Sequence, residues 1–210
     1  MPRRTKEEAE QTRLLLLETA LKLFAERGIA RTSLKDVAAE AGLTHGALYW
    51  HFKNRTDLVA ALYDECRFPI EDLFLDQLQS ARQNALDSLG GFLEDWCRLI
   101  LSDERLGQIW TVFHFHHRHD PELLALAPTI DEEHQAWLTL IGKMLKKARK
   151  QDQIPALSKG KRDPIPEAAL ALVVGIISCV KTSNNFSSKK SQIRAAVAGF
   201  LYGLESVKAA

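Results

Sequence analysis

Apolar residues recur along this chain at helical rather than strand spacing. In TRLLLLETALKLFAERG, Leu17, Leu21 and Phe24 mark one stripe, widened by Leu16, Ala20 and Leu23. Gly28 follows, the residue type that ends a helix most readily. TSLKDVAAEAG repeats the form on a shorter scale, with Thr32 or Ser33 as N-cap, an apolar face of Leu34, Val37, Ala38 and Ala41, and a stop at Gly42. Thr44 is placed to cap a third helix and Thr56 a fourth, whose apolar positions Leu58, Ala61, Leu62 and Cys66 run to a kink or break at Pro69. Beyond it the pattern predicts helices over 71–83, 87–101, 103–117, 121–150, 164–182 and 189–207, with polar breaks at 151–164 and 182–191. Pro121 and Pro164 each follow an Asp and fit a first helical turn, where a missing N–H costs nothing. The expectation is an all-α chain of about nine helices.

Two short helices joined across AGLT, after a longer first one, make a helix-turn-helix pattern. Gly42 suits a turn that needs positive φ. Val37, Ala38, Ala41, Leu43 and Leu48 supply the inward packing, and the small alanines let the helices approach closely. Thr44, His45, Gly46, Tyr49 and Trp50 are left facing outward. A helix surface of hydroxyl, imidazole and aromatic groups fits a DNA groove, and its N-terminal N–H groups suit a phosphate.

Composition and charge narrow the picture modestly. Of 210 residues, 46% are hydrophobic, enough for a sizeable core. The net charge of +1 argues for no partner by itself. Arg3, Arg4, Lys6 and Arg13 crowd the beginning and Lys53 and Arg55 follow the third helix, but Glu7, Glu8 and Glu10 dilute the field. No apolar run is long enough to span a bilayer and MPRRTKEEAEQTR has no hydrophobic leader, so a cytoplasmic protein without a membrane partner is expected. The cysteines Cys66, Cys97 and Cys179 are an odd number and widely spaced, which encodes neither a disulfide framework nor a zinc ribbon.

FHFHHRHD, residues 113–120, invites a metal reading. On a helix His114 and His117 share one face and His116 and His119 another, so the four do not converge on one tetrahedral site. No HExxH pattern, nucleophile elbow or phosphate loop accompanies them. No metal, no cofactor and no enzymatic activity are expected. Gly90 and Gly91 read as close packing between helices.

The residues themselves carry a more specific signal. LETALKLFAERGIA followed by RTSLKDVAAEAGLTHGALYWHFKNRTDLVAALYDE resembles the DNA-binding domain of TetR-family transcriptional regulators, over residues 1 to about 65. The opening RRTKEEAEQTR is similar to the AcrR-like branch, which represses multidrug efflux operons. The resemblance implies a helix-turn-helix at 33–52, with Tyr49 and His51 on backbone phosphates, Thr32, Ser33 and Lys53 flanking, and Thr44, His45 and Gly46 near base edges. Position 45 is usually Arg in close relatives. His offers at most one bond where Arg offers a bidentate fork to guanine, so base preference there is open.

The resemblance also implies a division at residues 1–65 for DNA binding and 66–210 for ligand binding and dimerisation. Large rings are frequent in the second part, and an apolar pocket for a small hydrophobic inducer is expected near Trp96, Ile100, Trp110, Phe113, His114, Trp137, Ile141 and Val174. The last two helices are rich in small residues: Ala169, Ala171, Gly175 and Ser178 on one, and Ala195, Ala196, Ala198, Gly199 and Gly203 on the other. Their apolar character all round predicts burial on two sides, and the resemblance implies a homodimer formed through them. The expected function is a ligand-released repressor acting as a dimer on double-stranded operator DNA. The alternatives are a helical small-molecule binder without DNA regulation, and a metal-dependent enzyme using the histidines.

Overall fold

A computed structural model describes residues 5–66, 84–115, 120–157, 160, 162–180 and 186–206. All regular elements among them are helical. Two compact units result: Met1–Phe68 with Arg105–Ile130, and Pro69–Glu104 with Asp131–Ala210.

The first unit begins with α1, Lys6–Arg27, capped by reciprocal bonds between Thr5 and Glu8. Its predicted stripe of Leu16, Leu17, Ala20, Leu21, Leu23 and Phe24 is buried throughout. Gly28 ends it with φ 84°, its N–H donating to the Phe24 carbonyl. Next come α2, Leu34–Glu40, α3, His45–His51, and α4, Arg55–Glu65. Ser33, rather than Thr32, is the cap of α2. The cap of α4 is Asn54 and not Thr56. Asn54 Oδ1 accepts the Asp57 N–H at 2.8 Å, and Asp57 Oδ2 takes the Lys53 N–H at 2.9 Å. These two bonds start the helix early and leave Thr56 inside the first turn.

Residues 105–130 pack with these four helices. They form α6, Glu104–Ile109, a wider π-helical turn at Trp110–Phe115, and the one-turn α7, Pro121–Leu124. Phe113 meets Tyr63 edge to face at 5.2 Å, within one apolar core that runs from Leu16 to Ile130. Two ion pairs reinforce it: Arg105 Nη2 to Glu18 Oε1 at 2.8 Å, and Arg55 Nη2 to Glu122 Oε1 at 2.5 Å.

The second unit contains α5, Ala85–Ser102, most of α8, Ala127–Lys150, then α9, Ile165–Val180, and α10, Phe186–Ser206. The single helix expected over 121–150 is two. Pro128 stands in the first turn of α8, where it has no N–H to offer the carbonyl one turn back, so α7 stops at Leu124 and α8 restarts. Gly90 of α5 does serve close packing, since an added Cβ would stand 2.6 Å from Leu201 Cδ1 of α10. Gln151 and Gln153 supply acceptors to the free N–H groups of Ala85 and Leu86 at the start of α5, at 2.8 and 3.1 Å. The expected helix at 71–83 and the kink or break at Pro69 lie outside the described residues.

On α9 the residues Ala168, Ala171, Gly175 and Cys179 form an exposed stripe, matched on α10 by Ala195, Ala198, Gly199, Tyr202 and Gly203. Ala169, placed by sequence among the small contact residues, is buried within the unit instead, because it shares the inward face with Val173 and Ile176. No helix among the described residues is long and apolar enough to cross a membrane.

Candidate nucleic-acid interface

The turn between α2 and α3 depends on Gly42, whose φ is 68°. Its N–H donates to the Ala39 carbonyl at 3.1 Å, and the Leu43 N–H donates to the Ala38 carbonyl at 2.9 Å. Thr44 then caps α3 by accepting the Ala47 N–H at 3.2 Å. Leu48 and Phe52 are buried and fix α3 against the core. With the inward face so occupied, the opposite face is free. Thr44, His45, Gly46, Tyr49 and Trp50 are all exposed, Trp50 at 73%.

The rings hold one another. His45 meets Tyr49 edge to face at 4.7 Å, and Trp50 meets His51 at 4.6 Å. These contacts limit the rotamers of His45 and Trp50 before any partner arrives. An added Cβ at Gly46 would meet nothing closer than Thr44 Oγ1 at 4.0 Å, so the protein's own packing does not require glycine there. Absence of a side chain at the helix start leaves the backbone open to a close approach.

Around α3 the flanking residues divide. Lys53 and Ser33 are exposed and His51 is half-buried. Thr32 is 1% exposed, its hydroxyl donating to the Gly28 carbonyl at 2.9 Å and its N–H to that of Ile29 at 3.1 Å. It secures the turn before α2, and its polar atoms do not reach the exposed face. Asp36 sits beside Ser33, whose hydroxyl and N–H bonds hold its carboxyl below the usual carboxylate range. Next to α3 lies a groove of about 900 Å³, walled by Thr5, Lys6 and Ala9 on one side and Thr44, Gly46, Ala47 and Trp50 on the other. Thr5 and Ala9 are not legible from the sequence as neighbours of α3. The basic cluster at the chain's start is the one signal pointing there.

The expected pocket residues fall into both units. Trp110, Phe113 and His114 belong to the first, where Trp110 and His114 lie 5.0 Å apart at 38° and all three are buried. Trp96, Ile100, Trp137 and Ile141 are buried in the second, with Val174 half-buried. Trp96 and Trp137 meet edge to face at 5.0 Å, and His134 lies 5.0 Å from Trp137. Of the histidine run, His116, His117 and His119 lie outside the described residues. Among the described residues no group of three His, Cys, Asp or Glu side chains is placed to hold a metal.

Residues 16–62 match the family model for bacterial regulatory proteins of the tetR family. The chain is 47% identical over 90 residues to the probable HTH-type transcriptional regulator ArpR of Pseudomonas putida, an alignment spanning 43% of this chain and 41% of that relative. It therefore covers well under two thirds of that relative's own length. A longer alignment, 28% identical over 176 residues, joins 84% of this chain to 83% of the HTH-type transcriptional repressor BepR of Brucella suis biovar 1. Among solved structures, NalD, the secondary repressor of the MexAB-OprM multidrug efflux pump in Pseudomonas aeruginosa, has the same fold. That likeness has a TM-score of 0.72 at 24% identity over 93% of this chain and 98% of that one.

Proposed function

We propose that the chain, whose residues 16–62 match the tetR-family model, is a sequence-specific, DNA-binding transcriptional regulator of the cytoplasm. The observation that carries this reading is the α3 face. Five outward positions offer a hydroxyl, an imidazole, open backbone, a phenol and an indole, on a helix whose other side is anchored by Leu48 and Phe52. Tyr49, His51 and Lys53, with Ser33, serve as phosphate contacts that set the register. Thr44, His45 and Gly46 approach base edges, and Trp50 covers the groove beside them.

The regulator acts as a homodimer through α9 and α10, whose exposed stripes of Ala, Gly and Cys permit close approach of a second copy. Two-fold symmetry then matches an inverted repeat whose half-sites lie about 34–36 Å apart, one DNA turn. Relatives named as repressors, one of them of a multidrug efflux pump, support a reading of repression of an efflux operon; release by a small hydrophobic ligand is part of the same proposal. The apolar residues Trp96, Ile100, Trp137, Ile141 and Val174 of the second unit are the proposed walls for that ligand. It releases DNA only by binding the DNA-incompetent conformation more tightly.

Selection from a random duplex pool, followed by anisotropy titration at several salt concentrations, tests the reading. An inverted repeat should emerge, bound more tightly than scrambled duplex at physiological salt, with log affinity falling steeply against log salt. Equal affinity for selected and scrambled duplexes would leave a helical small-molecule binder without DNA regulation.

A further inference from the structure

Arg55 opens α4, directly after the turn that follows α3. Its guanidinium serves three places in the first unit. Nε and Nη2 converge on Glu122 Oε1 at 2.6 and 2.5 Å, while Nη1 lies 3.4 Å from the carbonyl oxygens of both Ile29 and Ala30. Ile29 and Ala30 belong to the turn between α1 and α2, and Glu122 belongs to α7. One side chain thus ties the framework of the helix-turn-helix to the returning segment 105–130.

The surroundings make this tie costly to break. The Glu122 side chain is 11% exposed and that of Arg55 32%, so each charge is partly withdrawn from water and relies on the other. Glu122 is held in place by its own backbone, its N–H donating to Asp120 Oδ1 at 3.0 Å. The Ile29 carbonyl also accepts the Thr32 N–H at 3.1 Å, and Thr32 is the buried residue immediately before the cap of α2. A shift of α7 therefore reaches the start of α2 through a short chain of directional bonds, and α2 carries α3 across the Gly42 turn.

We propose that Arg55 and Glu122 are positioning residues for DNA recognition: their ion pair sets the α1–α2 turn, and with it α3, according to where segment 105–130 lies. The proposal rests on the DNA-binding reading above. Arg55 acts inward, as a brace. The competing role for a basic residue at that place is an outward phosphate contact, which predicts the opposite behaviour of its acidic partner.

The test uses Glu122→Gln, Arg55→Gln and the double variant in the full chain, titrated with selected operator and with scrambled duplex. Each single change should lower operator affinity on the order of tenfold, the scale of a typical coupling between sites, while scrambled-duplex affinity stays within about twofold. The double variant should be no worse than either single, because both remove one interaction. Amide hydrogen exchange, read without DNA, should quicken at residues 29–33 in all three. If Glu122→Gln instead tightens binding to both duplexes, Arg55 is a phosphate contact and the proposal fails. Additive losses overturn it as well. Unchanged exchange at 29–33 overturns it whatever the DNA titrations give. A wild-type chain with no operator preference sinks the DNA-binding reading itself, a result separate from the behaviour of the variants.

Discussion

Asp36 Oδ2 accepts both the N–H and the hydroxyl of Ser33, at 2.8 and 2.6 Å, and the Asp36 N–H returns a bond to Ser33 Oγ at 3.1 Å. This closed pair starts α2 and so sets where α3 begins. The Ser33 bonds, side-chain first and then backbone, hold the Asp36 carboxyl below its ordinary value of 3.8, with Arg27 and Lys35 adding to the effect. A carboxyl depressed by folding stabilises the fold above its unfolded pKa, and that contribution is lost as pH falls through the folded value. Asp36→Asn should therefore be less stable than wild type at neutral pH, and the gap should close below about pH 4. Urea unfolding midpoints of both proteins between pH 3 and 7 check this. A gap constant across that range would mean that the charge plays no part.

Gly90 has a separate use in the second unit. Its missing Cβ admits Leu201 Cδ1, which would otherwise stand at 2.6 Å. Gly90→Val should lower stability by about 1–3 kcal/mol, the usual cost of overpacking. Gly90→Ala should do less harm, since the alanine's better helix propensity recovers about 1 kcal/mol. Pairing either change with Leu201→Ala should relieve the strain. A melting temperature for Gly90→Val equal to that of wild type would show that Leu201 yields freely.

Thr32 and His45 separate framework from readout. The Thr32 hydroxyl is buried on the Gly28 carbonyl, so Thr32→Val should cost about 1 kcal/mol of stability and leave relative affinities among operators unchanged. His45→Ala should do the reverse, with a normal melting curve but relaxed preference at one base pair in each half-site. Tyr49→Phe should weaken binding to every duplex alike. A full set of single-base operator variants, titrated against each protein, distinguishes the three patterns. If Thr32→Val altered base preference, its hydroxyl would have to leave the turn when DNA binds.

The helix-turn-helix is legible in the sequence because its signals are local. Caps, the Gly42 turn and the apolar spacing of Leu34, Val37 and Leu48 lie within a few residues of one another. The α4 cap escapes such a reading because Asn54 accepts the Asp57 N–H while the Asp57 carboxylate accepts the Lys53 N–H, whereas Thr56 resembles a cap in isolation. The return of residues 105–130 onto α1 and α4 is invisible to it. That return depends on Arg55 meeting Glu122 and Tyr63 meeting Phe113, pairs far apart along the chain, and no spacing rule reaches that distance. Thr32 fails for a related reason, since its exposure is decided by the Gly28 carbonyl and not by its neighbours in sequence. Rings such as Trp96 and Trp137 at helical spacing read more often as core than as pocket, and their edge-to-face contact is one such core contact.

The proposed dimer can be tested without confusing loss of association with loss of folding. Ala198 is exposed on α10, and a Cβ added at Gly199 beside it would meet nothing within 4 Å. Ala198→Arg therefore leaves the single chain's packing intact, with a normal helical circular dichroism spectrum. Across a two-fold interface the same change buries a charge without a partner, which costs several kcal/mol. Ala169→Arg is the contrast, because Ala169 is fully buried within the unit and its replacement should disrupt folding. Cysteine chemistry gives an independent reading. Burial pushes the Cys66 thiol up to about 11 and that of Cys97 up to about 12, so neither supplies thiolate to a maleimide at neutral pH. Cys179 is exposed on the α9 stripe, where a second copy would cover it. Ala198→Arg should sediment as a monomer and label quickly at Cys179 alone, whereas wild type should sediment as a dimer and label there slowly. A variant that stays dimeric while Cys179 reacts at the same rate in both proteins would place the interface on another face.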